Sequence, residues 1–545
     1  MGGSSGGREA LWVVQNTPKD FDGAVATYPA WNAASLDLQF GRTTRALAKD
    51  GAYPNPAKQL VWVNAVVNAC DALDGLVDGL VSNVAACHFK PETVRCPGGA
   101  DTGDTCLSDA QIASIRVYGT PLFIPYRTGS GEFFYPGFSV FVGADLTGGL
   151  DLKTQQPTHE LMTSDNAAAA ACNPATQSCP YKAMPYFSVF WDQWVKYFVT
   201  GNSGFDSLAL DPQRPGPYRD RVSDLLGLQD VNKTDLSAFA KRGGKLLLMH
   251  GLADGLVATE ATTEYYVRLI GDMGARKVRK FVRYYTIPGL GHVLGSPSAA
   301  GGGFFASWDP LPALDAWVES GQAPSGLVTT DQNAATRGRT RPVCEWPSWP
   351  KYNGAGDPNS AASFTCTRSA GGDEDDEDDD RAALALVSCC PTGIRAQAVA
   401  WARSVRAQPF ELIGLVRAAG GGTTSDAARL YLGPMKWEQL RKLARELPEV
   451  VEAPWYGTPA LKVRGKGFVR LKENRRSVVL LLESVDEQEW LIRARPEIYF
   501  ITEHYRGWPA VLARLSKLSV TECRMRLERA WRLKAPPALS RRLDE

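Results

Sequence analysis

The first residues of the chain could present a serine nucleophile. Residues 2–6, GGSSG, have the Gly-x-Ser-x-Gly spacing of a sharp strand-to-helix turn that exposes the hydroxyl of its central serine, here Ser4. A flexible Gly/Ser-rich tail would have the same composition, so the spacing alone leaves both possibilities open. Because a serine hydroxyl attacks a carbonyl only when a base takes its proton, the hypothesis requires partners elsewhere in the chain.

Two later loops could supply these partners. Asp254 closes the segment HGLAD at 250–254, and His292 closes the segment GLGH at 289–292. We expect His292 to act as the general base and Asp254 to orient its imidazole and stabilise the imidazolium. The alternative for His292 is a packed loop histidine. The order Ser, Asp, His along the chain is that of one large class of hydrolases.

Short apolar runs lead into these loops. The pattern predicts strands over 22–28, 245–250 and 282–287. The last two runs each end at a candidate loop, and parallel strands bring the loops at their carboxyl ends to one edge of a sheet, so we expect Asp254 and His292 to lie at that edge. Helices are expected over 56–69 and 311–319.

An Asp/Gly loop forms a second candidate site. Residues 71–80, DALDGLVDGL, place Asp71, Asp74 and Asp78 at spacings of three and four, with glycine after two of them. Glycine permits tight reversals, and carboxylate oxygens suit a hard cation such as calcium. The spacing departs from that of the EF-hand, and a solvated loop is the alternative.

The cysteine spacing indicates disulfides. Eight cysteines before residue 367 fall into four couples that are close in sequence, which favours an oxidising compartment over metal ligation. We expect reduced thiols at the remaining three cysteines. The four couples are Cys70 with Cys87, Cys96 with Cys106, Cys172 with Cys179, and Cys344 with Cys366; the others are Cys389, Cys390 and Cys523.

Length and charge indicate several domains without an overall electrostatic bias. The 545 residues carry a net charge of +1 and should form more than one domain. Residues 435–545 are basic, with 23 Lys and Arg against 15 Asp and Glu. The sequence has neither a signal peptide nor an apolar run of membrane-spanning length. For a disulfide-rich domain this suggests that the native N-terminus is missing.

Residues 2–366 resemble the tannase and feruloyl esterase family of α/β-hydrolases. The resemblance rests on the turn GGSSGGR at 2–8, DFDG at 20–23, PAWN at 29–32, the Asp/Gly loop, and RTRPVC at 339–344. It implies a serine esterase with Ser4, Asp254 and His292 as its triad. It also implies a structural calcium held by the side chains of Asp71, Asp74 and Asp78 and the main-chain carbonyls of Leu76 and Leu80.

Two departures from the family pattern matter. The family usually has paired cysteines beside the catalytic serine and histidine, but these positions are Gly3 and Val293 here. Other packing must therefore hold His292 near Ser4. The oxyanion hole needs the N–H of Ser5 and a second N–H from an earlier loop, which we expect to precede residue 1. Losing one donor costs roughly 10²–10³ in rate, so we expect weak or absent hydrolysis.

The expected fold is an α/β-hydrolase core, incomplete at its N-terminus, with a large loop-rich lid that contains disulfides. The core would comprise 1–69 and 236–368, the lid with its calcium loop 70–235, and an acidic, low-complexity linker 369–434. Helix-like spacing of aromatic residues in the lid favours core packing, with an apolar wall for an aromatic acyl group as the alternative. These aromatic residues are Tyr186, Phe187, Phe190, Trp191, Trp194, Tyr197 and Phe198.

Residues 435–545 resemble a different family, the MmcQ/YjbR-like proteins. The residues that carry this resemblance include LPE at 447–449, APWYGTP at 453–459 and HYRG at 504–507. It implies a small α+β domain, for which we expect helices at 437–446, 508–515 and 520–533. Alternating Lys462, Arg464, Lys466 and Arg470 would suit a strand that faces phosphates, and a solvated hairpin is the alternative. His504 is expected to be structural.

Two functions are compatible with these patterns. The first is a secreted or periplasmic serine esterase that acts on esters of gallic, hydroxycinnamic or related aromatic acids, with a structural calcium and no membrane partner. The second is an inactive esterase fragment whose working part is the basic C-terminal domain, in weak contact with nucleic acid.

Overall fold

A computed structural model of the chain describes residues 1–150, 155–163, 184–292, 304–368, 435–445, 447–482, 484–494, 498–518, 520–536 and 538–539. The chain divides into two compact units, Met1–Arg395 and Ala396–Glu545. Within the described ranges, no helix combines the length and the apolar character needed to cross a membrane.

The first unit is built on a five-stranded sheet of order β1-β2-β5-β6-β10. Its first four strands are parallel, and only β10 runs antiparallel, against β6. The strands of this unit are β1 (Gly2–Gly3), β2 (Gly23–Thr27), β3 (Leu122–Phe123), β4 (Phe134–Tyr135), β5 (Lys245–Gly251), β6 (Val282–Ile287), β7 (Ala306–Ser307), β8 (Val328–Asp331), β9 (Thr340–Pro342), β10 (Cys344–Glu345), β11 (Trp349–Tyr352) and β12 (Phe364–Thr367).

Helices cover both faces of this sheet. Along β5, Leu246 and Leu248 face one apolar cluster, whereas Leu247 and Met249 face another, because successive side chains of a strand point to opposite faces. Parallel strands buried on both faces have continuous apolar sequences. The helices are α1 (Ser5–Asn16), α2 (Ala33–Leu47), α3 (Pro56–Cys70), α4 (Asp109–Gly119), α5 (Thr147–Leu150), α6 (His159–Thr163), α7 (Tyr186–Gln193), α8 (Arg219–Gln229), α9 (Ser237–Lys241), α10 (Thr259–Met273), α11 (Ala275–Val278) and α12 (Leu311–Ser320).

These elements confirm the predicted α/β-hydrolase fold. The strands expected over 22–28, 245–250 and 282–287 are β2, β5 and β6, and the helices expected over 56–69 and 311–319 are α3 and α12. The helix α2, which lies inside the predicted core range 1–69, packs against α4, α7 and α8 of the predicted lid.

Disulfides stabilise the loop-rich parts of the first unit. Three of the four predicted pairs are present, namely Cys70–Cys87, Cys96–Cys106 and Cys344–Cys366. The first closes the segment that contains the Asp/Gly loop. The fourth predicted pair, Cys172 with Cys179, lies outside the described residues, as do Cys389 and Cys390. Cys523 is a buried thiol in the second unit.

The lid is joined to the loop that carries Asp254. The N–H of Asp145 donates to the carbonyl of Ala253 at 3.0 Å, and the Tyr118 hydroxyl donates to the carbonyl of Gly255. The N–H of Ala258 donates to the Tyr135 hydroxyl at 3.1 Å. Main-chain groups of residues 252–258, which we name the acid loop, are therefore positioned by the lid as well as by the sheet.

The second unit is a six-stranded antiparallel sheet of order β13-β14-β15-β16-β18-β17, with helices packed on it. The residues at 508–515 were predicted to form a helix, and this was wrong. They contain β18, which is buried and pairs with β16 on one side and β17 on the other. The elements are α13 (Trp437–Ala444), β13 (Val450–Glu452), β14 (Ala460–Val463), β15 (Lys466–Leu471), β16 (Ser477–Leu481), α14 (Val485–Ala494), β17 (Tyr499–Phe500), β18 (Ala510–Arg514) and α15 (Val520–Arg532).

The contact between the predicted lid and the acid loop can be tested by adding one methyl group at Gly255. A Cβ on Gly255 would collide with the main-chain carbonyl oxygen of Asp145, so Gly255→Ala should lower the free energy of unfolding by about 1–3 kcal/mol. On the lid side, a Cβ on Gly148 would lie no closer than 3.8 Å to the acid loop, which makes Gly148→Ala the matched control. Chemical denaturation should separate the two variants; equal stability would argue against a tight contact.

Candidate active site

Ser4 lies in a strained turn between β1 and α1. Its φ of 57° and ψ of −121° lie in a region that residues other than glycine seldom adopt. The Ser4 N–H donates to the Thr27 carbonyl at 3.1 Å, and the Ser4 carbonyl accepts from the N–H groups of Arg8 and Ala30. A side chain at Gly2 would collide with the carbonyl of Gly6. The sharp turn therefore needs the small residues predicted from the spacing.

The three predicted site residues come together at the carboxyl edge of the sheet. The His292 Nε2 atom lies 3.0 Å from the Ser4 Oγ atom, and the His292 Nδ1 atom lies 2.9 Å from the Asp254 Oδ2 atom. Asp254 is 1% exposed and His292 is 9% exposed. With its proton on Nδ1, the imidazole donates to Asp254 and offers Nε2 to the serine hydroxyl. This arrangement can activate a serine for attack on a carbonyl carbon.

The Asp254 carboxylate is fully hydrogen-bonded. Its Oδ1 atom accepts from the N–H groups of Leu256 and Val257 at 2.8 and 2.9 Å, and its Oδ2 atom faces His292 and His250. Burial disfavours its charge, but the electrostatic interactions and hydrogen bonds with His292 and His250 outweigh this effect and hold the pKa of Asp254 well below its usual range. Asp254 therefore stays ionised when it orients His292.

His250 is a further site residue to which the sequence motif assigned no role. Its Nε2 atom lies 3.1 Å from both the Asp254 Oδ2 atom and the Val257 carbonyl. Both neighbours are acceptors, so Nε2 carries a proton and donates. Its Nδ1 atom lies 2.8 Å from the Thr262 hydroxyl, which can donate to a neutral imidazole. A chain of hydrogen bonds thus runs from Thr262 through His250, Asp254 and His292 to Ser4.

Ser5 is the first residue of α1. The N–H groups in the first turn of a helix have no partner within the helix, and they favour negative charge. The N–H of Ser5, directly after Ser4, lies in this first turn, and its role as an oxyanion donor stays a prediction.

The Asp/Gly loop forms a buried acidic turn next to β9. The two carboxylate oxygens of Asp71 accept from the N–H groups of Asp78 and Gly79 at 3.1 and 2.8 Å. Asp74 is 2% exposed, and burial raises its pKa to about 6, with the nearby carboxylates adding to the rise. Asp78 forms an ion pair with Arg341.

These residues fit calcium in chemistry, although their side chains are not gathered around one point. All the predicted donors are oxygens, and a bound cation would stabilise the ionised form of Asp74, which burial and then the neighbouring carboxylates disfavour. Within the described part of the chain, no group of three or more His, Cys, Asp or Glu side chains has metal-binding geometry. Calcium therefore stays a prediction.

The aromatic residues of the lid divide into two sets. Phe187, Trp191 and Trp194 are buried in the core, as the packing interpretation predicts. The others are at least 41% exposed, and an apolar wall for a ligand stays a prediction for them. These exposed residues are Tyr186, Phe190, Tyr197 and Phe198.

The alternation of Lys462, Arg464, Lys466 and Arg470 suggests a single strand, but these four residues do not lie on one strand. Arg464 lies in the two-residue turn between β14 and β15 with a φ of 49°, and it pairs with Glu449 at 2.9 Å. Arg470 is 7% exposed and bonds to Tyr505 and Glu473. The strand interpretation was wrong because residues 460–471 form a hairpin whose arginines have partners within the unit.

Comparison with known proteins confirms both resemblances. A family model described as tannase and feruloyl esterase matches residues 1–367, and one described as YjbR matches residues 445–533. The crystal structure of feruloyl esterase B from Aspergillus oryzae superposes with a TM-score of 0.51 at 25% identity, covering 67% of each chain.

Two curated relatives are similar to the same part of the chain. An uncharacterized esterase of Agrobacterium fabrum is 32% identical over 377 residues, and a mono(2-hydroxyethyl) terephthalate hydrolase of Piscinibacter sakaiensis is 30% identical over 404 residues. Each alignment covers 67% of this chain and 63% of the relative. The chain thus spans less than two thirds of the length of these relatives.

The chain of hydrogen bonds behind Asp254 makes the reactivity of Ser4 sensitive to distant substitutions. Thr262→Val removes the hydroxyl next to His250 at nearly constant volume, and His250→Ala removes the donor to Asp254. We expect the rate of labelling by a serine-directed phosphonate to fall severalfold for Thr262→Val and roughly tenfold or more for His250→Ala. Thr262→Ser keeps the hydroxyl and should retain the rate. Unchanged labelling of His250→Ala would show that Asp254 needs no second histidine.

Proposed function

Because residues 1–367 belong to the tannase and feruloyl esterase family, we propose that this protein is a carboxylic ester hydrolase that works through a serine acyl-enzyme. The observation that carries the proposal is the pair of contacts made by His292, at 3.0 Å to Ser4 and 2.9 Å to Asp254. This geometry suits a base that takes a proton from the serine while the aspartate stabilises the resulting charge.

Acylation would begin when the Ser4 Oγ atom attacks the ester carbonyl carbon and His292 Nε2 takes the hydroxyl proton. The carbonyl oxygen becomes an oxyanion, and the N–H of Ser5 is placed to donate to it. Collapse of the tetrahedral intermediate breaks the carbon–oxygen bond of the ester. His292 then passes its proton to the departing alcohol, which leaves the acyl group on Ser4.

Deacylation would repeat these steps with water as the nucleophile. His292 takes a proton from the water as the water oxygen bonds to the acyl carbon. Collapse of the second tetrahedral intermediate releases the carboxylic acid and returns the proton to the Ser4 Oγ atom. Throughout, Asp254 holds the Nδ1 proton of His292, and His250 holds Asp254.

The proposed substrates are esters of aromatic acids. Support comes from the names of similar proteins, which include a probable feruloyl esterase of Aspergillus terreus, 29% identical with 67% of this chain and 65% of that protein covered, and the terephthalate ester hydrolase. The exposed aromatic side chains of the lid would suit an aromatic acyl group. The three disulfides suggest that the enzyme works outside the reducing cytoplasm.

We also propose a structural calcium at the Asp/Gly loop. The side chains of Asp71, Asp74 and Asp78 and the carbonyls of Leu76 and Leu80 would hold it. A cation there would neutralise the buried charge of Asp74 and cross-link the loop. It has no part in the chemical steps, which belong to Ser4 and its partners.

Replacement of the nucleophile is the direct test of the proposed mechanism. Ser4→Ala should lose labelling by a serine-directed phosphonate and reduce hydrolysis of p-nitrophenyl butyrate by roughly 10⁴-fold or more relative to the unmodified chain. Ser320→Ala removes an exposed serine at the end of α12 and serves as the control. Equal labelling of Ser4→Ala and the unmodified chain would contradict the proposal.

Calcium binding predicts a stability that depends on the metal. Removing calcium with EGTA should lower the thermal unfolding temperature of the first unit by about 5 °C, and added calcium should restore it where magnesium does not. Asp74→Asn should abolish the response, whereas Asp220→Asn, at a carboxylate that is 90% exposed, should leave it intact. A thermal midpoint that ignores both EGTA and calcium would rule out the site.

A further inference from the structure

Tyr28 has a backbone conformation that is unusual for its residue type. It directly follows β2 and has a φ of 36°, which residues other than glycine rarely adopt. Its N–H donates to the carbonyl of Met249 at the end of β5, at 2.6 Å. The preceding residue, Thr27, accepts from the N–H of Ser4 at 3.1 Å. The conformation is thus held by hydrogen bonds to β5 and to the turn after β1, and strained residues of this kind cluster at functional sites.

The ring of Tyr28 packs against the candidate base. Its centroid lies 4.9 Å from that of the His292 imidazole, with the two planes inclined at 60°. Both the distance and the tilt are typical of attractive aromatic pairs. The His250 ring lies farther away, at 6.4 Å. Tyr28 therefore contacts the one imidazole whose position decides whether Ser4 loses its proton.

On its other side, the same ring fills the space beside Gly3. A Cβ on Gly3 would lie 2.7 Å from the Cε2 atom and 2.8 Å from the hydroxyl oxygen of Tyr28. The absence of a side chain at residue 3 is what makes room for the ring. Tyr28 is thereby wedged between the strand that carries the nucleophile and the imidazole of His292.

The Tyr28 side chain can pack beside His292 without carrying a charge. Burial raises its pKa, a side-chain hydrogen bond with Thr27 offsets part of this rise, and the charge of Asp254 adds to it. The hydroxyl therefore keeps its proton at neutral pH and adds no charge next to the triad.

We propose that Tyr28 is a positioning residue that holds the His292 imidazole in line with Ser4 and Asp254. The inference rests on the proposed function, since the base must be aligned for ester hydrolysis. It assigns to the tyrosine directly after β2 the role of fixing a histidine that lies 264 positions later in the chain. Tyr28 touches neither the attacking oxygen nor a substrate in this role; it acts through His292.

Kinetics of ring removal give the first test. Tyr28→Ala should lower kcat for p-nitrophenyl butyrate about 10- to 100-fold with a KM within about twofold, because the base is misplaced rather than the substrate. Tyr28→Phe keeps the ring and should retain most of kcat. Equal kcat for Tyr28→Ala and the unmodified chain would overturn the inference, as would a Tyr28→Phe variant as slow as Tyr28→Ala, since the hydroxyl would then be the important group.

A double-mutant cycle gives a test that does not depend on removing the ring alone. Gly3→Ala should slow the enzyme that retains Tyr28, because the new methyl group pushes the ring away from His292. In the Tyr28→Ala background the same change should cost clearly less, because only the Thr27 Oγ1 atom, 2.8 Å from the new Cβ, remains in its way. Additive losses in kcat would contradict the proposed contact.

Nuclear magnetic resonance separates a failure of this inference from a failure of the proposed function. The chain has only five histidines, so imidazole-labelled protein gives few signals, and His292→Gln identifies the one of interest. Tyr28→Ala should shift that signal more than those of His88 and His159, whether or not the chain hydrolyses esters. An unshifted signal would overturn the inference, whereas a shifted signal in a chain without hydrolysis would contradict only the proposed function.

Discussion

A buried negative charge is the constraint on which the first unit depends. Asp254 is almost fully withdrawn from water, and an ionised carboxylate in such a place is stable only when its oxygens are matched by donors. The four donors come from the acid loop itself, from the end of β5 and from the loop after β6. The hydrogen bonds of this one carboxylate therefore form only when β5, β6 and the loops that follow them are correctly placed relative to one another. The same placement brings His292 to Ser4.

The residues of the candidate site could be picked out from the sequence because their signals are local. The serine is marked by the glycines of a sharp turn, and the aspartate and the histidine each follow a short apolar strand. The topology of a parallel sheet brings such loops together. The role of His250 could not be predicted, because it depends on the hydrogen-bond partner of each ring nitrogen, which only the folded structure defines. Tyr28 carried no signal at all, because its importance lies in contacts with Gly3 and His292 that only the folded chain creates.

The errors in the second unit have a similar physical origin. The segment at 508–515 has no strong periodicity of its own, and its pairing with both β16 and β17 decides that it is a strand. The alternating basic residues at 462–470 are interrupted by Arg464-Gly465, where two residues with positive φ form a tight turn. The alternation of charges continues through the turn, because Arg464 lies in it, and this is why the sequence suggested one continuous strand.

The hydrogen bond from Asp145 to Ala253 has a consequence for how this enzyme type can be altered. A lid that only covered the substrate, without contacts to the acid loop, could be exchanged for another lid to change which acyl group is accepted. Here residues of the predicted lid also hold the loop that carries Asp254, so in the proposed esterase a change of lid would also alter the support of the acid. On the proposed function, a lid exchange that keeps residues 145–149 would leave the position of Asp254 intact, whereas one that replaces this segment would displace it.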